Sequence, residues 1–403
     1  MHYSKSLAIA FAMSSALMPG VTGHALAEDK PPIKIGVPLP ETGPFGNLYE
    51  QEKNAIEYAV AEVNGKGGIL GRKVEVRYAD TEGKPDVARK QLEKLALDGY
   101  RLMVGTVTSS EGLAVAPSLK RWNAILISPY SKSSKLIGDS CQARFFRTDP
   151  SDPMEIAAVK EWLKTRNEKK WVTIGIDYTF GHDATDGFVG AAKELGKDVS
   201  ATLFAPIGTN DFAPYIQQIK AAKPEGLFVI ESGRDAINFV QQAKEFGLLG
   251  SVPMGGITYN ADSTQMVLGK ELIGTYGNIE WSPSIDTAKN KSFVEGWKKM
   301  YGGKIPSDQS GQGYHAMSVL LQAIEKAQSD NPAQVAKALH GGTFDTLFGA
   351  AVMRAADHQL LIPVLIGQVK DNGAGGTELV PELSVAADKS LPTPDPACKI
   401  EIE

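Results

Sequence analysis

The chain has 403 residues, a formal net charge of −5, 42% hydrophobic and 22% charged residues. This is ordinary globular composition. The mild acidity offers nucleic acid no basic surface, and the length suggests two domains.

In chain order, Lys5 is followed by the apolar run Leu7 to Met18, a Pro19-Gly20 break and Ala25-Leu26-Ala27. That pattern predicts a secretory signal peptide over residues 1–27, cleaved between Ala27 and Glu28. The apolar run is too short to span a bilayer, and no later segment reaches 18 apolar residues. Residue 28 is Glu28 rather than cysteine, so a lipoprotein anchor has no acceptor there. A periplasmic location is expected. In such an oxidising compartment the two cysteines, Cys141 and Cys398, are expected to form a disulfide.

Short β-branched runs then alternate with amphipathic stretches. Ile33 to Leu39, Val74 to Ala79, Leu102 to Val104 and Ala124 to Ile127 read as strands. Glu50 to Val63, Pro85 to Leu97 and Leu113 to Trp122 read as the helices between them. A second series follows Phe145-Phe146-Arg147-Thr148. Its helices are Met154 to Thr165, Ala184 to Leu195, Phe212 to Ala222 and Ala236 to Phe246, and its strands are Trp171 to Ile176, Val199 to Phe204, Leu227 to Ile230 and a short one near Val252. Two βα series of this kind predict an α/β protein of two doubly wound lobes, each a parallel sheet with helices on both faces. Trp297 to His340 is again helical, Ala350 to Arg354 and Pro363 to Val369 read as late strands, and the Gly-, Pro- and Asp-rich tail from Asp371 is expected to wrap the surface.

Enzyme signatures are missing: there is no G-x-S-x-G, H-E-x-x-H, Walker sequence or strand-linked G-x-G-x-x-G. Gly65-Lys66-Gly67-Gly68 follows a helix and lacks the Lys-Ser/Thr of a phosphate loop, so it reads as a helix C-cap and turn. His182, His315, His340 and His358 are widely spaced, and no metal site or cofactor is expected from them. A non-enzymatic binding protein is the better reading.

The chemically interesting segments lie at the carboxyl ends of strands, where open α/β sheets hold ligands. Gly105-Thr106-Val107-Thr108-Ser109-Ser110-Glu111 opens a helix, where hydroxyls and free N–H groups could seat a carboxylate or could serve only as an N-cap. Ser128-Pro129-Tyr130-Ser131-Lys132 occupies the same place after the next strand. In the second series the matching loops hold Tyr178 and Phe180, Glu231 to Arg234, and Gly255 to Tyr259.

These features resemble a known family. Thr42-Gly43-Pro44, Asn64 to Gly71, Val104-Gly105 with Ser109-Ser110, Ser128-Pro129, Phe180-Gly181 and Gln242 to Leu248 are similar, in order and spacing, to the type I periplasmic solute-binding proteins of ABC importers. That group includes the leucine/isoleucine/valine-binding protein. The resemblance implies two lobes joined by three crossovers: residues 31–148 with 281–345, and 149–280 with 346–370, followed by a tail of 371–403. It implies a small organic acid as ligand, a membrane permease as partner and a monomer that closes on its solute. The resemblance implies that Ser109, with its neighbours Thr108 and Ser110, holds the carboxylate, that the Tyr130-Ser131 loop adds donors and that Phe180 supplies an aromatic from the second lobe; Phe45, Tyr178, Ser232, Gly233, Thr258 and Tyr259, in the loops facing the expected cleft, complete the candidate site.

One departure bears on the ligand. Amino-acid binders resembling this chain carry an acid just after the strand that here reads Val252 to Gly256, and this chain has Ile257-Thr258-Tyr259. An unpaired ammonium in a closed cleft costs several kcal/mol. An apolar or aromatic carboxylate is therefore expected, with a branched-chain amino acid or amide as the alternative if Glu231 supplies the counter-charge.

Overall fold

The computed structural model describes residues 1–3, 30–373 and 375–402, so the expected signal peptide and its Ala27/Glu28 cleavage site lie almost wholly outside the described residues. Among the described residues no helix is long and apolar enough to cross a membrane.

The first series forms β1 (Ile33–Leu39), α1 (Tyr49–Gly65), β2 (Val74–Asp80), α2 (Pro85–Leu97), β3 (Leu102–Val104), α3 (Ser109–Val115), β4 (Ile125–Ser128) and β5 (Phe145–Arg147). The strands make one parallel sheet in the order β2-β1-β3-β4-β5. The second series forms α4 (Asp152–Lys164), β6 (Lys170–Ile176), α5 (Thr179–Glu194), β7 (Asp198–Ala205), α6 (Ala213–Ala222), β8 (Gly226–Ile230), α7 (Gly233–Glu245) and β9 (Met254–Ile257). Its parallel sheet runs β7-β6-β8-β9. Both sheets are doubly wound, as the sequence predicts. Their central strands are buried throughout because helices cover both faces.

Next come α8 (Asp262–Leu268), β10 (Tyr276–Ile279), α9 (Ala288–Met300), α10 (Asp308–Ala327), α11 (Pro332–Leu339), β11 (Thr343–Thr346), β12 (Gly349–Val352), β13 (Val364–Asp371), β14 (Thr377–Val385) and α12 (Ala387–Ser390). The helix α10 packs on α1 and β3, beside the first sheet, and β10 and β13 lie with β9 and α4, beside the second.

Three local readings need correction. The helix expected from Leu113 to Trp122 starts at Ser109, because Thr108 and Glu111 form a reciprocal capping box, and it gives way to a 3₁₀ turn at Ala116–Ser118, where Pro117 stands. The tail is not merely a surface wrap. Residues 377–385 are a strand paired antiparallel with β13, driven by the alternation around Leu379, Leu383 and Val385. Residues 349–352, expected with the second lobe, form a hairpin with β11 against α9 and α10. The disulfide joins Cys141 to Cys398 with 5.5 Å between Cα atoms.

Candidate functional site

In each sheet the winding reverses beside one strand, β1 in the first and β6 in the second. At such a reversal the loops after neighbouring strands splay apart and leave a crevice. The loops after β1 and β3 face those after β6 and β8 across a cavity of about 610 Å³, its mouth included.

One wall is aromatic and apolar. Tyr130, Tyr178 and Phe180 line it with Leu48 and Val107. The Tyr178 and Phe180 rings lie 5.8 Å apart, and Phe45 supports Tyr178 from behind at 6.4 Å, edge to face. The Tyr130 hydroxyl donates to the carbonyl of Gln309 at 3.2 Å, which fixes the ring.

Two helix N-termini open onto the same cavity. Tyr178 is the N-cap of α5 and Ser232 that of α7, and neither side chain caps its own helix. First-turn N–H groups have no partner inside a helix. Gly181 lets α5 begin hard against β6, since a Cβ there would collide with the carbonyl of Ile176. Gly233 has φ +60°, and a Cβ would sit 2.9 Å from both the Phe45 ring and the Pro44 carbonyl. Thr258 completes this side, a β-branched residue at φ 64° whose hydroxyl donates to the Glu231 carbonyl at 2.7 Å.

The remaining wall is polar and charged. Lys132 and Glu280 line it as an ion pair of 2.9 Å. The Lys132 ammonium also meets Glu155 at 2.7 Å and Asp149 at 3.3 Å. Burial alone would lower its pKa, but the charges of Glu155, Glu280 and Asp149 hold it well above the usual value. Burial raises Asp149 and Glu155 well above the carboxylate range, while for Glu280 burial is outweighed by the Lys132 charge together with hydrogen bonds from Glu155, Lys132 and Asp149, and its pKa is lowered. Below it, Arg147 donates to Gln359 Oε1 at 2.7 Å and to the carbonyls of Ser131 and Ser133.

Of the sequence-expected site residues, Tyr130, Tyr178, Phe180, Ser232, Gly233 and Thr258 line the cavity. The others stand behind its wall. Ser109 Oγ accepts the backbone N–H groups of Lys132 (3.1 Å) and Ser133 (3.0 Å), so it holds the next loop in place. Thr108 caps α3, Ser110 lies in its first turn, and Ser131 Oγ donates to the Thr108 carbonyl at 3.2 Å. Phe45 is 1% exposed behind Tyr178, and Tyr259 is fully buried in the second sheet's outer core, donating to the carbonyls of Met254 and Tyr276. Glu231 is fully buried outside the lining, and its burial raises its pKa well above the ordinary range.

Sequence reasoning did not single out Asn278, Glu280, Asp308, Gln309 and Gln312, which line the polar wall. They come from β10, the residue after it and the first two turns of α10, far along the chain. Their only signal was an unusual density of polar residues at positions that turn out fully covered.

Two parallel-sheet units facing each other over a lined cleft define a bilobal binding protein. The chain belongs to the periplasmic binding protein family, whose model matches residues 32–374. Leu/Ile/Val-binding protein homolog 4 of Brucella melitensis is 22% identical over 391 residues, covering 92% of this chain and 93% of its own. Among solved structures, a solute-binding protein of an ABC transporter from Rhodopseudomonas palustris, in complex with 3,4-dihydroxybenzoic acid, aligns with TM-score 0.81 at 23% identity, covering 88% of this chain and 97% of that one. The leucine-, isoleucine-, valine-, threonine- and alanine-binding protein of Brucella ovis, in its closed conformation, aligns with TM-score 0.80 at 20% identity, covering 92% and 100%. These likenesses establish the shared fold.

Proposed function

We propose that the chain is the periplasmic solute-binding component of an ABC importer. It is a non-enzymatic monomer that closes on a small apolar or aromatic carboxylate and delivers it to a membrane permease. Cleavage between Ala27 and Glu28 would release it to the periplasm. The observation that carries the ligand class is the aromatic wall of Tyr130, Tyr178 and Phe180 beside the N-termini of α5 and α7. A ring stacks on the first, and a carboxylate suits the second, where N–H groups and the helix dipole favour negative charge. The relative that binds 3,4-dihydroxybenzoic acid supports this reading.

A second reading, a branched-chain amino acid, is favoured by one observation: three carboxyls surround Lys132, and Glu280 and Asp308 reach the cavity wall. Thermal unfolding in the presence of each candidate separates the two. Benzoate-type acids should raise Tm by a few degrees at a hundredfold excess over Kd, where binding adds about 2.7 kcal/mol. Stabilisation by leucine, isoleucine or valine, with none by aromatic acids, would reverse the order.

A further inference from the structure

Beside the Lys132–Glu280 pair the cavity wall carries amide groups that satisfy nothing. Asn278, Gln309 and Gln312 are 6%, 4% and 3% exposed. The Asn278 Oδ1 and Nδ2 atoms and the Oε1 atoms of Gln309 and Gln312 are buried with no hydrogen-bond partner among the described residues. Their placement is regular. Asn278 on β10 and Glu280 just after it both line the cavity, and Gln309 and Gln312 stand one turn apart on α10, next to Asp308. Buried polar groups are ordinarily paired, and leaving several unpaired together is costly. A wall of this kind is built to be completed by a ligand.

The surrounding charge settles which polarity it takes. Glu280 and Asp308 flank the amides, and the Lys132 ammonium is already shared among Asp149, Glu155 and Glu280. A second anion is disfavoured beside the Glu280 carboxylate, whereas a group that donates a hydrogen bond is welcome at the unpaired amide oxygens. Resting on the aromatic-acid reading above, we infer that Asn278, Gln309 and Gln312 select acids whose ring carries a hydroxyl, taking that hydroxyl as a donor at the end away from the carboxylate.

Calorimetric titration of the whole protein with benzoate, 4-methoxybenzoate and 4-hydroxybenzoate tests this, because the methoxy compound keeps the oxygen and lacks the proton. The hydroxy acid should bind at least about tenfold more tightly than either of the others, since a site built around a hydroxyl leaves its own groups unpaired without one. In the Gln312→Leu and Asn278→Leu proteins that ratio should shrink severalfold, and the wild-type comparison needs no variant to fold. Equal affinity for the three acids overturns the inference and leaves the aromatic-acid reading standing. Binding of leucine with no binding of any acid overturns both.

Discussion

Lys132 is the residue on which the cleft's electrostatics turn, because one ammonium there answers Asp149, Glu155 and Glu280. Lys132→Met keeps the volume and removes the charge, leaving a nearly solvent-free group of carboxyls. Breaking a buried pair from one side costs about 3–5 kcal/mol. Denaturant unfolding of the variant should show a loss of that order, and a loss within the scatter of a surface substitution would mean the carboxyls are neutral without it. Ser109 lies in the loop that the sequence singles out, and its hydroxyl oxygen has partners inside the protein. The sequence expectation sets its hydroxyl beside the ligand carboxylate, and in the fold its oxygen accepts the N–H groups of Lys132 and Ser133. Ser109→Ala should therefore lower stability by about 1–3 kcal/mol through two unpaired buried donors. Its calorimetric Kd should change only through the shifted loop, and a large loss of affinity at unchanged stability would restore the direct contact.

Among the elements, the parallel strands were legible because each is a short, fully buried run with turn residues at both ends, as at Leu102–Val104 and Gly226–Ile230. The helix starts at Thr179 and Gly233 were not, since Gly181, His182 and Gly233 do not carry a helical period and are placed by the tight strand-to-helix turn. β10 and β14 were missed because their partners lie far off in sequence or in a Gly-rich tail. The polar cavity wall was missed for the same reason.

The N-termini of α8 and α10 meet across the cleft. The Asp262 N–H donates to Asp308 at 3.2 Å and the Asp308 N–H donates back to Asp262 at 2.8 Å. Burial first, and then the Asp262 charge, raises Asp308 well above the carboxylate range. Burial likewise raises Asp262, with Glu378 adding to it. Carboxyls that separate on opening regain water and their ordinary values, so the closed form binds more protons than the open one. The contribution to closure is complete below the ordinary carboxylate range near pH 4 and is lost as pH rises through the raised values. Ligand affinity should accordingly fall as pH rises above the ordinary carboxylate range, where an aromatic acid is already ionised and keeps its charge. Asp308→Asn should flatten that dependence; a profile unchanged in the variant would assign the protons elsewhere.

At the scale of the whole molecule, the chain passes between the two sheet units after β5, after β10 and between β12 and β13, the three crossovers that the sequence resemblance implies. The Lys132 cluster and Arg147 tie them together: Asp149 follows β5, Glu280 follows β10, and Gln359 lies between β12 and β13. The disulfide closes a segment of 257 residues. Chain-entropy models put such a bridge at about 5 kcal/mol, an upper figure. Cys398→Ser should lower Tm by several degrees, and thiol labelling of the denatured, unreduced wild type should find no free thiol.

That bridge has a mechanical side. After β14 the tail packs α12 on α4, then Arg354 donates to the Pro392 carbonyl and Cys398 reaches Cys141 beside the first sheet. The chain therefore spans the cleft's two sides a fourth time, and this span is covalently anchored at its far end. It acts as a stay that limits how far the jaws can swing apart. A shorter swing leaves the empty receptor with fewer open geometries to surrender when solute arrives. Reduced protein should gape wider in small-angle scattering and hold its solute more weakly, although no atom that touches the solute has changed.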